Sequence, residues 1–310
     1  MSERCDGTGK FSHQALFYRD TKSYLAEAVP FVLRGVAEGE FVVVAVPGHR
    51  LRPLEQAFGP AVDRVHLFDM SEMGRNPGRL LPTLFQILAD AHGEPVRVFG
   101  EPVWSGRSEE EYPACVQHEA MLNFAFAGWS ARFLCAYDMS ALGPEVLADA
   151  EATHTALVDF PETRPSTAYD PEAAYERYNV PLPAPEDALL LPFDVESMSK
   201  VRRVATEFAA LEGLGQDRLQ DVALAVGELC ANSVQHGGGS GVFATWQHDD
   251  GSVVYEVADR GRLTDRMAGR KPPAAHQRGG WGLLLVNQVS DLVRAYAGPE
   301  GLTTRVYLRH

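Results

Sequence analysis

Six prolines, at 161, 165, 171, 181, 183 and 185, crowd the stretch DFPETRPSTAYDPEAAYERYNVPLPAPED, residues 159–187. Proline fixes φ and has no N–H, so this density excludes a long helix or a central strand. With few aliphatic residues to build a core, the stretch reads as a semi-rigid linker. Its tyrosines, 169, 175 and 178, predict that it packs on a domain rather than extending into solvent. The chain is thereby expected to fold as two parts, 1–158 and 188–310, each long enough to enclose its own core.

Before the linker, short apolar runs alternate with helical periodicity. FVVVAV (41–46) has the pattern of a buried strand, and RVHLFDM (64–70), VRVFG (96–100) and ARFLCAYD (131–138) are similar. Residues 22–38, 51–58, 78–91, 108–127 and 143–156 repeat their apolar positions with a helical period. Such alternation predicts a parallel α/β sheet with helices on both faces. No GxxxxGK[ST] follows any of the strands. Pro47-Gly48-His49-Arg50 follows the first of them, so a phosphate-binding loop is not expected in this half.

After the linker the order changes. ALLLPFDV (188–195) reads as a strand, and helices are expected over about 196–213 and 216–236. Strands GVFATWQH (241–248) and SVVYEVAD (252–259) follow, turned by Asp249-Asp250-Gly251. A polar stretch, 260–278, precedes a glycine-started helix over about 280–290 and two last strands, 292–298 and 303–309. Clustered strands with period-2 alternation predict an antiparallel or mixed sheet with helices on one face.

The net charge of −14 argues against general nucleic-acid binding. Cysteines 5, 115, 135 and 230 have no metal-like spacing and no CxxC, which fits reduced thiols. The N-terminus lacks the apolar core of a signal peptide, and no apolar run approaches a membrane span. A cytoplasmic protein is expected.

The stretch VGELCANSVQHG (226–237) carries the chemistry. On a helix, Glu228, Asn232 and His236 fall four apart and project from nearly one side. Taken alone, such a row also describes a solvated stripe. Its context adds a carboxylate where a strand meets a loop, Asp259-Arg260-Gly261, and Arg278-Gly279-Gly280-Trp281-Gly282-Leu283 opening an apolar helix. Glycines there let phosphates approach free N–H groups at the positive end of the helix dipole. An amide oxygen can hold Mg²⁺, a hard cation that takes oxygen ligands and phosphates together.

Helix with Glu-x-x-x-Asn, strand with Asp-x-Gly, loop, then Gly-x-Gly-Leu at a helix start resembles the GHKL ATP-binding domain of gyrase and histidine kinases. Within that superfamily it looks most like the anti-sigma-factor serine kinases. The resemblance covers about 190–310 and implies an α/β sandwich that binds ATP with Mg²⁺. It makes Asn232 the Mg²⁺ ligand, Asp259 the partner of the adenine amino group, and Glu228 the general base toward a serine hydroxyl. Gly261, Arg278, Gly280, Gly282 and Leu283 would shape the nucleotide pocket, with Thr303 or, preferably, Thr304 near the adenine. His236 finishes the helix. Arg262-Leu263 stand where the family commonly has a further glycine, which alters the lid. Neither a phospho-accepting His helix before the domain nor a histidine in the linker supports a histidine kinase.

Residues 11–157 resemble the MEDS (DcmR-like) sensory domain, a RecA-like fold without Walker A. The resemblance rests on His13 with Leu16-Phe17-Tyr18, on Gly39-Glu40-Phe41, on GEPVWSGR (100–107) and on Cys135-Ala136-Tyr137-Asp138. It implies an unidentified small-molecule ligand, with His13, Trp104, His118, Tyr137 and Asp138 lining its site. His118 and Glu119 are sequence neighbours, so no metal pair is expected of them. Cys115 and Cys135 are alternative redox reporters.

The two resemblances together imply a sensor-regulated anti-sigma factor, homodimeric, that binds Mg-ATP and phosphorylates a serine of an anti-anti-sigma partner. The competing expectation is a non-catalytic protein that captures a sigma factor on the ATP fold. Neither expectation involves nucleic acid or membrane directly.

Overall fold

The computed structural model describes residues 10–310 apart from 90, 92, 160 and 274–278. Two compact units divide the chain. One holds the residues up to Arg75 with Thr83–Tyr178, and the other holds Asn76–Pro82 with Asn179–His310.

In chain order the first half forms β1 (Ser12–Tyr18), α1 (Thr21–Glu38), β2 (Phe41–Val46), α2 (Gly48–Phe58) and β3 (Val65–Asp69). Then come α3 (Met70–Met73), α4 (Pro77–Ala89), β4 (Val96–Gly100), α5 (Tyr112–Ala125), β5 (Ala131–Asp138) and α6 (Pro144–Thr153). Strands β6 (Ala156–Asp159) and β7 (Glu162–Pro165) and helix α7 (Pro171–Arg177) complete it. The seven strands lie in the order β3-β2-β4-β5-β1-β6-β7. All neighbours are parallel except β6 and β7. Valines 42, 43, 44 and 46 are buried, as expected of a strand covered on both faces. Helix α1 starts on a reciprocal cap, where the Asp20 side chain accepts from the Ser23 N–H and the Ser23 hydroxyl accepts from the Asp20 N–H.

Three strands exceed those expected from the sequence. β1 is the first, and it lies between β5 and β6. The other two, β6 and β7, straddle the start of the Pro-rich stretch. β7 is a fully exposed edge strand ending in Pro165, where a missing N–H costs no ladder bond. The stretch is thus not bare linker. Helix α7 begins with the Asp170 side chain accepting from Ala173 N–H, and Ala174 is fully buried in a cluster with Val116 and Ala152. Tyr178 packs edge-on to Tyr112.

The second half forms β8 (Leu189–Asp194), α8 (Met198–Leu211), α9 (Gln216–His236), β9 (Ser240–Gln247), β10 (Val253–Asp259), α10 (Gly282–Val289), β11 (Leu292–Gly298) and β12 (Gly301–Leu308). Five antiparallel strands run in the order β11-β12-β10-β9-β8. One face of that sheet meets α8 and α9 in a core containing Val201, Ala205, Val222, Val226, Leu229, Phe243, Tyr255 and Val306. On the other face, Arg305 pairs with Glu256 and donates to the carbonyls of Leu182 and Pro183. Those contacts anchor the end of the Pro-rich stretch to this unit.

Candidate functional site

Helix α9 buries Val222, Ala225, Val226, Leu229, Cys230 and Ser233, a stripe at i, i+3, i+4, i+7, i+8 and i+11. Glu228 and Asn232 flank that stripe and are partly buried. Facing them is the start of α10. A methyl group on Gly282 would stand 2.5 Å from Glu228 Oε2 and 3.6 Å from Asn232 Nδ2, so glycine is what permits the approach. Leu283 beside it packs against the unit's core. Among the described residues, Asn232 Nδ2 is buried with no hydrogen-bond partner. A buried amide N–H left unpaired costs about 1–3 kcal/mol, which an acceptor such as a phosphate oxygen at this place would recover. Among the described residues, helix α10 has no side-chain cap at its first turn, so its first N–H groups are placed to meet an anion. Gly280, at φ 87°, holds the left-handed conformation just ahead of that turn.

The other end of the site is Asp259, the last residue of β10. Its Oδ1 accepts from the Gly261 N–H at 2.7 Å, and its Oδ2 accepts from the Ser233 hydroxyl. Gly237, the residue after α9, lies directly against this carboxylate, where any Cβ would collide with it. The side chain is therefore oriented from helix, loop and strand together. Register separates the two threonines. Thr304 pairs with Val257, and in a pleated strand Val257 and Asp259 share a face, so Thr304 lies on Asp259's side of the sheet. Thr303 pairs with Ala258 and points away. His236 ends α9 exposed. Arg278 lies outside the described residues.

These residues fit Mg-ATP: an unpaired amide beside a carboxylate, a glycine cradle at a helix start, and a fixed carboxylate further along. Ser233 was missed by the sequence reading. A serine following the Asn looks like any small buried helix residue, and only the fold reveals that it meets the Asp259 carboxylate.

Comparison with known families agrees with this layout. Residues 191–308 match the histidine kinase-like ATPase domain, and residues 12–155 match MEDS, the MEthanogen/methylotroph, DcmR Sensory domain. The chain carries a MEDS domain followed by a histidine kinase-like ATPase domain. The five-stranded antiparallel sheet backed by α8 and α9 is the GHKL-type fold of the ATPase domain. No curated protein matches the chain in sequence. Among solved structures, it is similar to the RsbU and RsbW domains of Rv1364c from Mycobacterium tuberculosis, at 25% identity and a TM-score of 0.31. That match covers 41% of this chain and 33% of the other, so it spans about a third of that structure's chain. No described helix is long and apolar enough to cross a membrane.

Within the MEDS domain, the residues expected to line a ligand site fall into separate places. His13 of β1 and Tyr137 of β5 meet Glu119 of α5. His13 Nε2 is 3.5 Å from Glu119 Oε2, and the Tyr137 hydroxyl donates to the same oxygen at 3.2 Å. Cys135 and His154 join this cluster, all of it buried. His118 reaches Glu119 Oε1 at 3.8 Å, so the two sequence neighbours do share an environment. Burial, then the neighbouring His13, pushes the His154 imidazole down to about 4, so it is neutral near pH 7. Burial likewise holds the Cys135 thiol well above its usual range, with the Glu119 charge adding to it. A small cavity of about 10 Å³, lined by Val103, Tyr112, Glu119, Tyr137 and Asp149 among others, abuts the cluster.

Asp138 belongs elsewhere. At the carboxyl ends of β1, β4 and β5, Arg50 of α2 donates to the Tyr18 hydroxyl (2.9 Å) and to Asp138 (3.4 Å). Tyr18 in turn donates to Glu101 at 2.9 Å. Burial pushes Glu101 up to about 7 despite Arg50 and Tyr18, which pull it down. Strand carboxyl ends are where α/β sheets commonly hold ligands. Trp104 stands on the following loop, with the Arg107 guanidinium 3.8 Å over its ring.

Proposed function

We propose that the chain is a sensor-regulated protein serine kinase of the anti-sigma type, in which the ATPase domain phosphorylates a serine of an anti-anti-sigma partner and so sets sigma-factor availability. The observation that carries the reading is the meeting of Gly282 with Glu228 and Asn232, together with the buried unpaired amide of Asn232. In this reading Asn232 would hold Mg²⁺ through its Oδ1, and the ion would neutralise phosphate charge. Asp259, oriented by Ser233 and Gly261, accepts a hydrogen bond from the adenine amino group, with Thr304 on the same side of the sheet. Glu228 receives the proton of the acceptor hydroxyl. The first N–H groups of α10 bind phosphate oxygens, with Gly280 shaping the turn. Phosphoryl transfer depends mainly on such positioning and charge stabilisation. The MEDS domain supplies the regulatory input by binding a small molecule. The protein acts in the cytoplasm as a homodimer.

Calorimetry with Mg-ATP on the wild type, Asn232→Ala, Asp259→Asn and Glu228→Gln tests this. The expected result is binding in the wild type, at least tenfold weaker binding in the first two variants, and near-normal binding in Glu228→Gln with transfer to the serine partner abolished. Regulation that survives Glu228→Gln would overturn the kinase reading in favour of sigma-factor capture on the same fold. A folded wild type that binds no nucleotide would overturn the pocket itself.

A further inference from the structure

We propose that the MEDS domain holds one divalent transition-metal ion of the zinc class, bound by His13, Glu119, Cys135 and His154. The four residues come from separate segments. His13 lies on β1, Glu119 on α5, Cys135 on β5 and His154 just past α6. Their relative exposures are 0%, 2%, 4% and 0%. One ligand atom from each lies within 4.8 Å of the other three.

Three of the separations are close to those of one coordination sphere. His13 Nε2 lies 3.5 Å from Glu119 Oε2 and 3.5 Å from Cys135 Sγ, and His154 Nε2 lies 3.2 Å from Glu119 Oε2. Zinc bonds of about 2.0–2.3 Å in a tetrahedron place neighbouring ligand atoms about 3.3–3.8 Å apart.

Hydrogen bonds outside the cluster fix which nitrogens face it. The Asn123 amide nitrogen donates to the carbonyls of Glu119, Ala120 and Thr153, which turns its Oδ1 toward His13 Nδ1 at 3.3 Å. His13 Nδ1 must therefore donate, which in the neutral ring puts the lone pair on Nε2. His154 Nδ1 lies 2.7 Å from the Ala150 carbonyl, an acceptor only, so its Nε2 also carries a lone pair. Metal-binding histidines are typically held this way, by a carbonyl or carboxylate on the far nitrogen. The two lone pairs are aimed at a carboxylate oxygen and a sulfur. With the imidazole centroids 3.9 Å apart, protonating both rings would set two like charges in contact.

A dication resolves the conflict. Two neutral imidazoles, one carboxylate and one thiolate bring its net charge to zero, the condition for burying it without a large desolvation cost. The mixed imidazole, thiolate and carboxylate set suits zinc, or cobalt in its place, rather than magnesium or calcium. The Tyr137 hydroxyl, donating to Glu119, completes the surround. The inference does not depend on the ATPase domain or on kinase activity.

Cobalt loading of the full chain tests it. The expected result is one Co²⁺ per folded chain, with the visible bands of a tetrahedral centre and a sulfur-to-cobalt band. Cys135→Ser should lose the sulfur band and bind zinc at least tenfold more weakly, whereas Cys115→Ser and Cys230→Ser should keep the band. Should Cys135→Ser fail to fold, the wild-type spectrum with the two control variants assigns the sulfur by elimination among the described cysteines. A folded wild type that takes up neither Co²⁺ nor Zn²⁺, even after expression in zinc-supplemented medium, would overturn the proposal and leave a hydrogen-bonded core cluster. Bound metal without a sulfur band would overturn this ligand set.

Discussion

The Ser233 hydroxyl donates to Asp259 Oδ2 across the gap between helix α9 and strand β10, while the Gly261 N–H occupies Oδ1. Each carboxylate oxygen thus has one partner and keeps lone pairs for a ligand. Ser233→Ala removes one of the two partners without changing volume much or adding charge. The carboxylate is then free to rotate about the remaining bond. Mg-ATP affinity is expected to fall about tenfold, the equivalent of about 1.4 kcal/mol, within the range for a hydrogen bond to a charged group. Asp259→Asn should cost more, since it removes the acceptor itself. Calorimetry on the two variants and their double mutant reads the coupling: a cost in Ser233→Ala that persists unchanged on the Asp259→Asn background would show that the serine does not act through the carboxylate.

Gly282→Ala is the sharpest steric test. The added methyl would sit 2.5 Å from Glu228 Oε2, closer than carbon and oxygen tolerate, and 3.6 Å from Asn232 Nδ2. At the first position of α10, alanine is otherwise a better helix residue than glycine. The expected outcome is a chain that keeps its fold by circular dichroism and loses at least tenfold in Mg-ATP affinity. Unchanged affinity would mean that Glu228 swings aside at no cost.

The long, strongly patterned elements were legible in the sequence. Helix α9 spans the residues its apolar stripe marks, and β10 ends at Asp259 as the alternation indicates. Periodicity reports which face is buried, and both elements bury one face. What escaped were features set by tertiary neighbours. β1 went unread because its strand pattern is interrupted by the polar residues His13, which is buried among groups from α5 and β5, and Gln14, which is half-buried. β7 escaped because proline at an exposed edge breaks no ladder. In the same way, Ser233 gains meaning only from Asp259, and His154 only from Glu119, 35 residues earlier in the chain.

Asp149 ties the Pro-rich stretch to the MEDS domain. It is 3% exposed and accepts from the Tyr112 hydroxyl at 2.6 Å, from the Tyr178 hydroxyl and from the Arg177 guanidinium. Asp149→Ala leaves two phenols and a cation without their acceptor. With Arg177 half exposed and able to turn to water, the expected loss is about 3 kcal/mol, at the lower end for a broken buried pair. Tyr178→Phe should cost about 1 kcal/mol. Hydrogen exchange in α5, α6 and α7 should accelerate together in Asp149→Ala. Acceleration confined to α7 would mean that the aspartate holds the helix but not the domain.

Glu101 gives the MEDS domain a defined pH response. Its folded-state pKa, about 7, lies above the ordinary value of 4.5 because burial penalises the charged form. Between these values the folded state holds a proton that the unfolded chain has released. Stability is therefore largest below pH 4.5 and falls as pH rises toward 7, then levels off. The shift corresponds to at most about 3 kcal/mol. Glu101→Gln cannot ionise, and its amide oxygen can still accept from Tyr18. The variant should gain stability relative to the wild type as pH goes from 5 to 8, read as protection of the central strands β1, β4 and β5 in hydrogen exchange. A difference between the two proteins that stays constant over that range would place Glu101 in its ionised form throughout, with Arg50 as a full counter-ion.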